Sequence, residues 1–353
     1  MSEGQPTSTA PPAPAPAPEP ETAQTAPTPT TSTTAPQKEP EAPAPAPAEA
    51  EVKEEAPAAQ QTQALQETDT KTPLPDEPIT PIQDLWRICD AHIHKEIWGV
   101  TLADPATHVP TQIVLQKFLN ANDGDMVKSK TQLLETLDWR METKPLELIK
   151  QTYSREKFGG LGYVTVHAAE GDEKDEKAAK EIFTWNVYGN VKSIDVTFGD
   201  LQEFINWRVA LMEQALQELS IVTAIEPITS DPDADPYKIF QVHDYKGVSF
   251  LRQAPQVKAA STKTIRVFAA VYPELLKEKF FVNVPAVMGF MYGFMKLFVA
   301  ARTIKKFHPM SNGANLAKED FGGSKVPLRQ TLPPEYGGKG ADLKTQGTEP
   351  LLA

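Results

Sequence analysis

Cys89, His92 and His94 lie close together in the chain, and thiolate and imidazole are the ligands that zinc takes. Only His92 falls on the helical face of Cys89, and no fourth ligand accompanies them, so ordinary packing accounts for all three. FGGLGY at 158–163 holds three glycines but lacks the GxGxxG spacing of a dinucleotide loop. It also precedes a strand pattern instead of following one, and so reads as a turn. The chain contains no GxSxG elbow, Walker loop or HExxH helix. The more informative residues are isolated polar groups on apolar faces. Arg208 stands four residues after Phe204 and four before Met212 on one helical stripe. His243 and Tyr245 are two apart in a strand pattern and share a face, and Lys279 projects with Phe281 and Asn283 in another. Two readings stay open. These groups either satisfy one another in a hydrogen-bonded network or line a cavity for an anionic, largely apolar ligand. In the second case Arg208 and Lys279 would neutralise its charge, and His243 and Tyr245 could coordinate a metal.

The elements that must place these groups follow from periodicity. Order is expected to begin near Pro81, where PIQDLWRICDAHIHKEIWGVTL has helical spacing with Trp86 and Trp98 as anchors. A second helix, VPTQIVLQKFLNANDGD, stops at its Asn-Asp-Gly cluster. Asp125 is the expected N-cap of a third, Met126 to Arg140, with Val127, Leu134 and Leu137 on one face. From residue 160 the pattern changes to strands, GYVTVHA and FTWNVYG, around the charged stretch GDEKDEKAAK. An amphipathic helix, Leu201 to Leu219, carries Phe204, Met212 and Leu219 on one stripe. The strand FQVHDYKGVSFL, a helix from Lys258 to Leu276, the strand KFFVNV and a long apolar helix to Lys306 complete the body. Strand and helix in alternation imply an α/β fold, a mostly parallel sheet covered by helices behind a helical lobe.

Charge is distributed unevenly over the 353 residues. Residues 1–80 hold 13 acidic and 3 basic side chains, 18 of the 33 prolines, and no Phe, Trp or Tyr. Such a stretch cannot bury enough apolar surface to offset its ordering entropy, so a disordered acidic tail is expected there. The remaining residues carry 34 acidic and 32 basic groups, a near balance that argues against a nucleic-acid binder. One cysteine excludes an internal disulfide and points to a reducing compartment. The N-terminus lacks the basic-then-apolar pattern of a secretory signal. The expected organisation is tail 1–80, helical lobe 81–145, α/β lobe 146–340 and a flexible end 341–353. The 21 residues from Phe280 to Ala300 hold a single charge, and Gly289 and Gly293 form GxxxG. Pro285 and Asn283 interrupt that run. Core, gate and membrane span all remain open for it.

Some of these motifs occur together elsewhere. KFLNANDGDMVKSKTQLLETLDWR resembles the helical lobe of CRAL-TRIO lipid-transfer proteins. YKGVSF, VYPELLKEKFFVNVPAVMGF and LPPEYGG resemble that family's sheet, gate and closing motifs in order and spacing, from about residue 85 to 340. VHDYKGVS with TWNVYG is most similar to the non-classical fungal phosphatidylinositol transfer proteins that also bind haem. The resemblance implies the CRAL-TRIO fold, with a hydrophobic cavity between a sheet and a gate helix, and a carrier, not an enzyme. Phe290, Met291, Phe294 and Phe298 would lie on that gate.

What the resemblance implies for ligands is specific. Phosphatidylinositol contacts carry over to Glu274, Thr303 and Lys306, where Lys suits phosphate and Glu accepts from inositol hydroxyls. Haem b contacts carry over to Tyr245 as axial ligand to iron, with His243 beside it and Arg208 and Lys279 around it. Ferric iron takes a tyrosinate, and nearby cations favour that form. Asn122 stands where the family has an Arg for the head group and its haem-binding members have a Tyr. The implied function is phosphatidylinositol transfer linked to phosphoinositide homeostasis and oxidant-stress response. The alternative is a dedicated haem carrier, sensor or redox protein with little lipid transfer. A cytoplasmic protein associating peripherally with endoplasmic reticulum and microsomal membranes is expected.

Overall fold

Residues 79–168, 179–248, 254–285 and 301–353 are described by the computed structural model. They fall within a single unit, Thr72–Ala353. The Ala-Pro tail, the stretch 169–178 and the proposed gate residues Phe290, Met291, Phe294 and Phe298 lie outside the described residues.

Helix α1, Pro81–Ala91, starts with proline at its first turn. Thr80 and Gln83 form a reciprocal capping box that satisfies two of its orphan donors. It stops earlier than the helical spacing suggests. The next residues form a hairpin, β1 (Glu96–Ile97) and β2 (Val100–Thr101). Its two-residue turn places Trp98 and Gly99 at positive φ, 54° and 87°, as such turns require. Trp98 is an anchor as expected. Its buried ring stacks on Phe118 with centroids 5.6 Å apart, and its indole N–H donates to the Val271 carbonyl.

Helices α2 (Val109–Ala121) and α3 (Met126–Thr143) follow, with Asp125 capping α3 through the Val127 and Lys128 amides. The buried face of α3 differs from the expected one. Val127 is 76% and Leu134 43% exposed, whereas Ser129, Leu133, Thr136, Leu137 and Arg140 are buried. Hydrophobicity misleads there because the inner face carries polar groups with partners. Ser129 donates to the Phe118 carbonyl, and Arg140 pairs with Glu213 at 2.6 Å and Glu96 at 2.8 Å.

After α4 (Pro145–Lys150) and α5 (Arg155–Phe158) comes one sheet of β3 (Gly162–Ala168), β4 (Lys180–Val187), β5 (Ile239–Asp244), β6 (Leu276–Val282) and β7 (Phe307–Met310). The strands lie in sequence order. The β3–β4 pair is antiparallel and the three later pairs are parallel. Three more helices, α6 (Ile194–Phe198), α7 (Leu201–Glu218) and α8 (Pro255–Val271), occupy the crossovers. The expected mixed α/β architecture is therefore present. Helix α8 starts and ends earlier than Lys258–Leu276, because Pro255 occupies its first position and Pro273 follows its last turn. Strand β5 ends at Asp244, so Tyr245 lies just beyond it. Asn283 likewise lies beyond β6, at φ 59°, hydrogen-bonded to Asp244 and Gly313 instead of projecting with Lys279.

Alternation along the strands divides the interior. Phe183, Trp185, Phe240, Val242, Phe280 and Val282 face a core closed by Leu316, Phe321, Leu332 and Tyr336. The opposite face packs on α7, with α8 joined to α3, α6 and α7 beside it. The end 341–353, expected to be flexible, is instead paired. Asp342 caps a turn at Leu343–Gln346, Thr348 exchanges two 2.9 Å backbone bonds with Val164, and Tyr153 donates to the Leu351 carbonyl. The Thr348 bonds occupy the outer edge of β3 at Val164, a position that would otherwise be open to another strand.

Candidate functional site

The sheet face toward α7 and α8 departs from the uniformly apolar character of buried parallel strands. Register sets Gln241 beside Lys279, and His243 between Asn186 and Phe281. These polar positions form the floor of a cavity of about 760 Å³, within the roughly 300–1,000 Å³ typical of ligand sites. Phe204, Arg208 and Met212 of α7 and Ile265 and Phe268 of α8 wall it, with Thr303, Lys306 and Phe307 along another side. Asn122 and Gln132 of the helical lobe also reach it. The described ligand contacts that the resemblance implies all line this cavity: Asn122, Arg208, His243, Tyr245, Glu274, Lys279, Thr303 and Lys306.

One pole gathers aromatic and cationic groups. Tyr188 sits with its ring 5.6 Å from His243 and 5.3 Å from Tyr245, although sequence periodicity did not single it out. Gly189 makes that approach feasible, since a Cβ there would fall 2.1 Å from the Lys246 carbonyl and push the two turns apart. The Arg208 guanidinium bonds the Asn186 side chain and lies 5.4 Å from the Phe268 ring centre. The Lys279 ammonium lies 5.4 Å from that of Phe281. Among the described residues, the buried His243 Nε2 and Arg208 Nε have no hydrogen-bond partner. Burial dominates the electrostatics. It holds His243 well below the usual imidazole range, assisted by Lys279 and Arg208, and lowers Lys279 to about 7 with Arg208 adding repulsion. Burial also raises the Tyr245 and Tyr188 phenols, against the pull of Arg208. The pole is cationic and buried.

The second pole is built on the turn before β6. Glu274 has φ 54°, and its carboxylate lies 3.4 Å from Lys238 and 3.9 Å from Lys306. Tyr272 joins this wall and donates to Glu213 at 2.7 Å. Asn122 bonds the Phe118 carbonyl and, at 2.7 Å, Gln132. The earliest metal candidates are scattered. His92 pairs with Asp138 at 3.0 Å, and burial pushes the Cys89 thiol up to about 12. Among the described residues no three His, Cys, Asp or Glu side chains cluster to hold an ion, and no helix is long and apolar enough to cross a membrane.

The profile of the CRAL/TRIO domain matches residues 185–338. "Phosphatidylinositol transfer protein SFH5" of Pyricularia oryzae is 66% identical over 274 residues, covering 77% of this chain and 67% of that protein. "Phosphatidylinositol transfer protein sfh-5" of Neurospora crassa is 60% identical over 277 residues, covering 78% and 75%. A solved structure, "Crystal structure of Sfh5", superimposes with a TM-score of 0.60 at 27% identity over 76% of this chain and 88% of its own.

Proposed function

The chain belongs to the CRAL/TRIO domain family, and from that premise we propose that it binds phosphatidylinositol and transfers it between membranes as a carrier, not an enzyme. The observation that carries this reading is a cavity lined by apolar side chains along its helical walls and polar at two poles. Lys306 and Thr303 suit the phosphodiester and Glu274 the inositol hydroxyls. The acyl chains belong along Phe204, Met212, Ile265 and Phe268, with Phe290, Met291, Phe294 and Phe298 as further lipid contacts on sequence grounds. Exposing roughly thirty chain methylenes to water costs about 0.8 kcal/mol each, which is why unaided desorption is slow and a carrier useful. Peripheral contact with endoplasmic reticulum membranes and a part in phosphoinositide homeostasis follow from this reading.

Haem b is proposed as a second ligand of the same cavity. The unpartnered His243 Nε2 and Arg208 Nε, the Tyr245 phenol and the Lys279 ammonium make a donor set for iron and two propionates. Tyr245 would hold the iron through its phenol oxygen, and Arg208 and Lys279 would pair with the propionate carboxylates. Because burial raises the Tyr245 phenol, its deprotonation needs the charge of the metal itself in addition to Arg208. Bound haem would supply redox chemistry, the basis for a role in oxidant stress.

Two measurements on the purified full chain test these readings. Labelled phosphatidylinositol should move from donor to acceptor vesicles at a rate proportional to protein, and no movement would overturn the carrier reading. Haem should give a Soret band that Tyr245→Phe abolishes or reshapes, and an unchanged band would remove Tyr245 as ligand. A strong band without lipid transfer would make haem carriage the principal function.

A further inference from the structure

Lys117 lies in the middle of α2, outside the cavity lining, and is fully buried. Its ammonium donates to the Asp235 carboxylate at 2.5 Å, the Tyr237 carbonyl at 2.7 Å and the Glu274 carbonyl at 3.0 Å. Three acceptors from two separate segments thus use the full donor capacity of one side chain. Asp235 is itself held, accepting from the Tyr237 amide at 2.9 Å.

The segment that Lys117 grips is the second pole of the cavity. Glu274 adopts a left-handed backbone, which a residue with a side chain keeps only when its surroundings over-determine it. Three successive carbonyls there are each caught by a different part of the fold. Glu274 accepts from Lys117 of α2, Leu275 from the Ile239 amide of β5 at 2.9 Å, and Leu276 from the Lys306 ammonium at 3.0 Å. Lys238, one residue before β5, reaches the Glu274 carboxylate.

We propose that Lys117, paired with Asp235, is a positioning residue for head-group recognition. It fixes the Glu274 backbone so that the carboxylate and Lys306 meet the polar part of the ligand in one arrangement. This rests on the reading of Glu274, Thr303 and Lys306 as head-group contacts. It makes the helical lobe a determinant of which lipid is held, through a side chain that touches no ligand.

The test compares binding of dioleoyl phosphatidylinositol with that of a diacylglycerol bearing the same chains, and follows hydrogen exchange at 235–239 and 274–276. In Lys117→Met, phosphatidylinositol affinity should fall tenfold or more, diacylglycerol affinity should hold, and exchange at 274–276 should accelerate. An equal loss for both lipids, or an unchanged preference for phosphatidylinositol, overturns the proposal. Should that variant not fold, the double variant Lys117→Met with Asp235→Asn removes both charges and is read in the same way. An unsubstituted protein with no preference for the inositol lipid would overturn the head-group reading itself. A preference that survives in the variant would overturn only the role of Lys117.

Discussion

Lys279 carries the clearest pH signature of the cavity. Its ammonium faces Arg208, the neutral His243 ring and the faces of Phe281 and Phe307, with no carboxylate among its described contacts, and it titrates at about 7. An anionic ligand favours the protonated form and raises that value, so binding should take up a proton above pH 7. Affinity for such a ligand should then fall as pH rises, by at most tenfold per unit, and Lys279→Met should flatten the slope in calorimetric titrations. Stability has the opposite sign. The folded protein holds this proton less tightly than the unfolded chain, so the penalty is full below pH 7 and is relieved as pH rises toward 10.5. Lys279→Met should therefore stabilise the ligand-free protein most at pH 6, by a rising urea midpoint, and have little effect near pH 10.5. Lys279, His243 and Arg208 were legible in the sequence because each interrupts an apolar face. Tyr188 was not, since an aromatic residue at the end of a strand looks the same in a core as beside a ligand.

Among the elements, α3 and α7 are joined by charge, not only by apolar contact. Arg140 pairs with the fully buried Glu213, which also accepts from Tyr272 in the cavity wall. Arg140→Met should leave that carboxylate unpaired and cost about 3–5 kcal/mol, measurable as a drop in urea midpoint, with the cavity end near Tyr272 loosening first. Asp244, at the end of β5, accepts from Asn283 at 2.7 Å, the Lys246 amide at 2.8 Å and Tyr336 at 2.9 Å. Asp244→Ala should destabilise by about 2–4 kcal/mol and weaken ligand uptake through the neighbouring Tyr245 turn, read by thermal unfolding and haem titration. The strands were legible because β-branched and aromatic residues dominate them. The inner face of α3 was not, since Arg140 owes its burial to Glu96 and Glu213, far away in sequence, and Ser129 its burial to bonds with main-chain carbonyls. The hairpin at Trp98 was hidden for a related reason: its apolar residues also satisfy helical spacing.

At the scale of the molecule, two additions at the ends differ in expected effect. Removing residues 1–78 should leave ligand uptake unchanged, as every residue lining the cavity lies beyond them. Removing 341–353 should lower the melting temperature and promote aggregation on light scattering, because the edge of β3 loses its partners. That cover has a consequence in time. Gly160, beside β3, bonds Glu349, 189 residues further along the chain. At about 5–20 residues per second, a ribosome takes roughly 10–40 s to span that interval. Until residue 348 emerges, Val164 of β3 lacks its outer partner, the condition under which strands of neighbouring chains join. Thr348 then pairs with Val164 and closes that position of the edge.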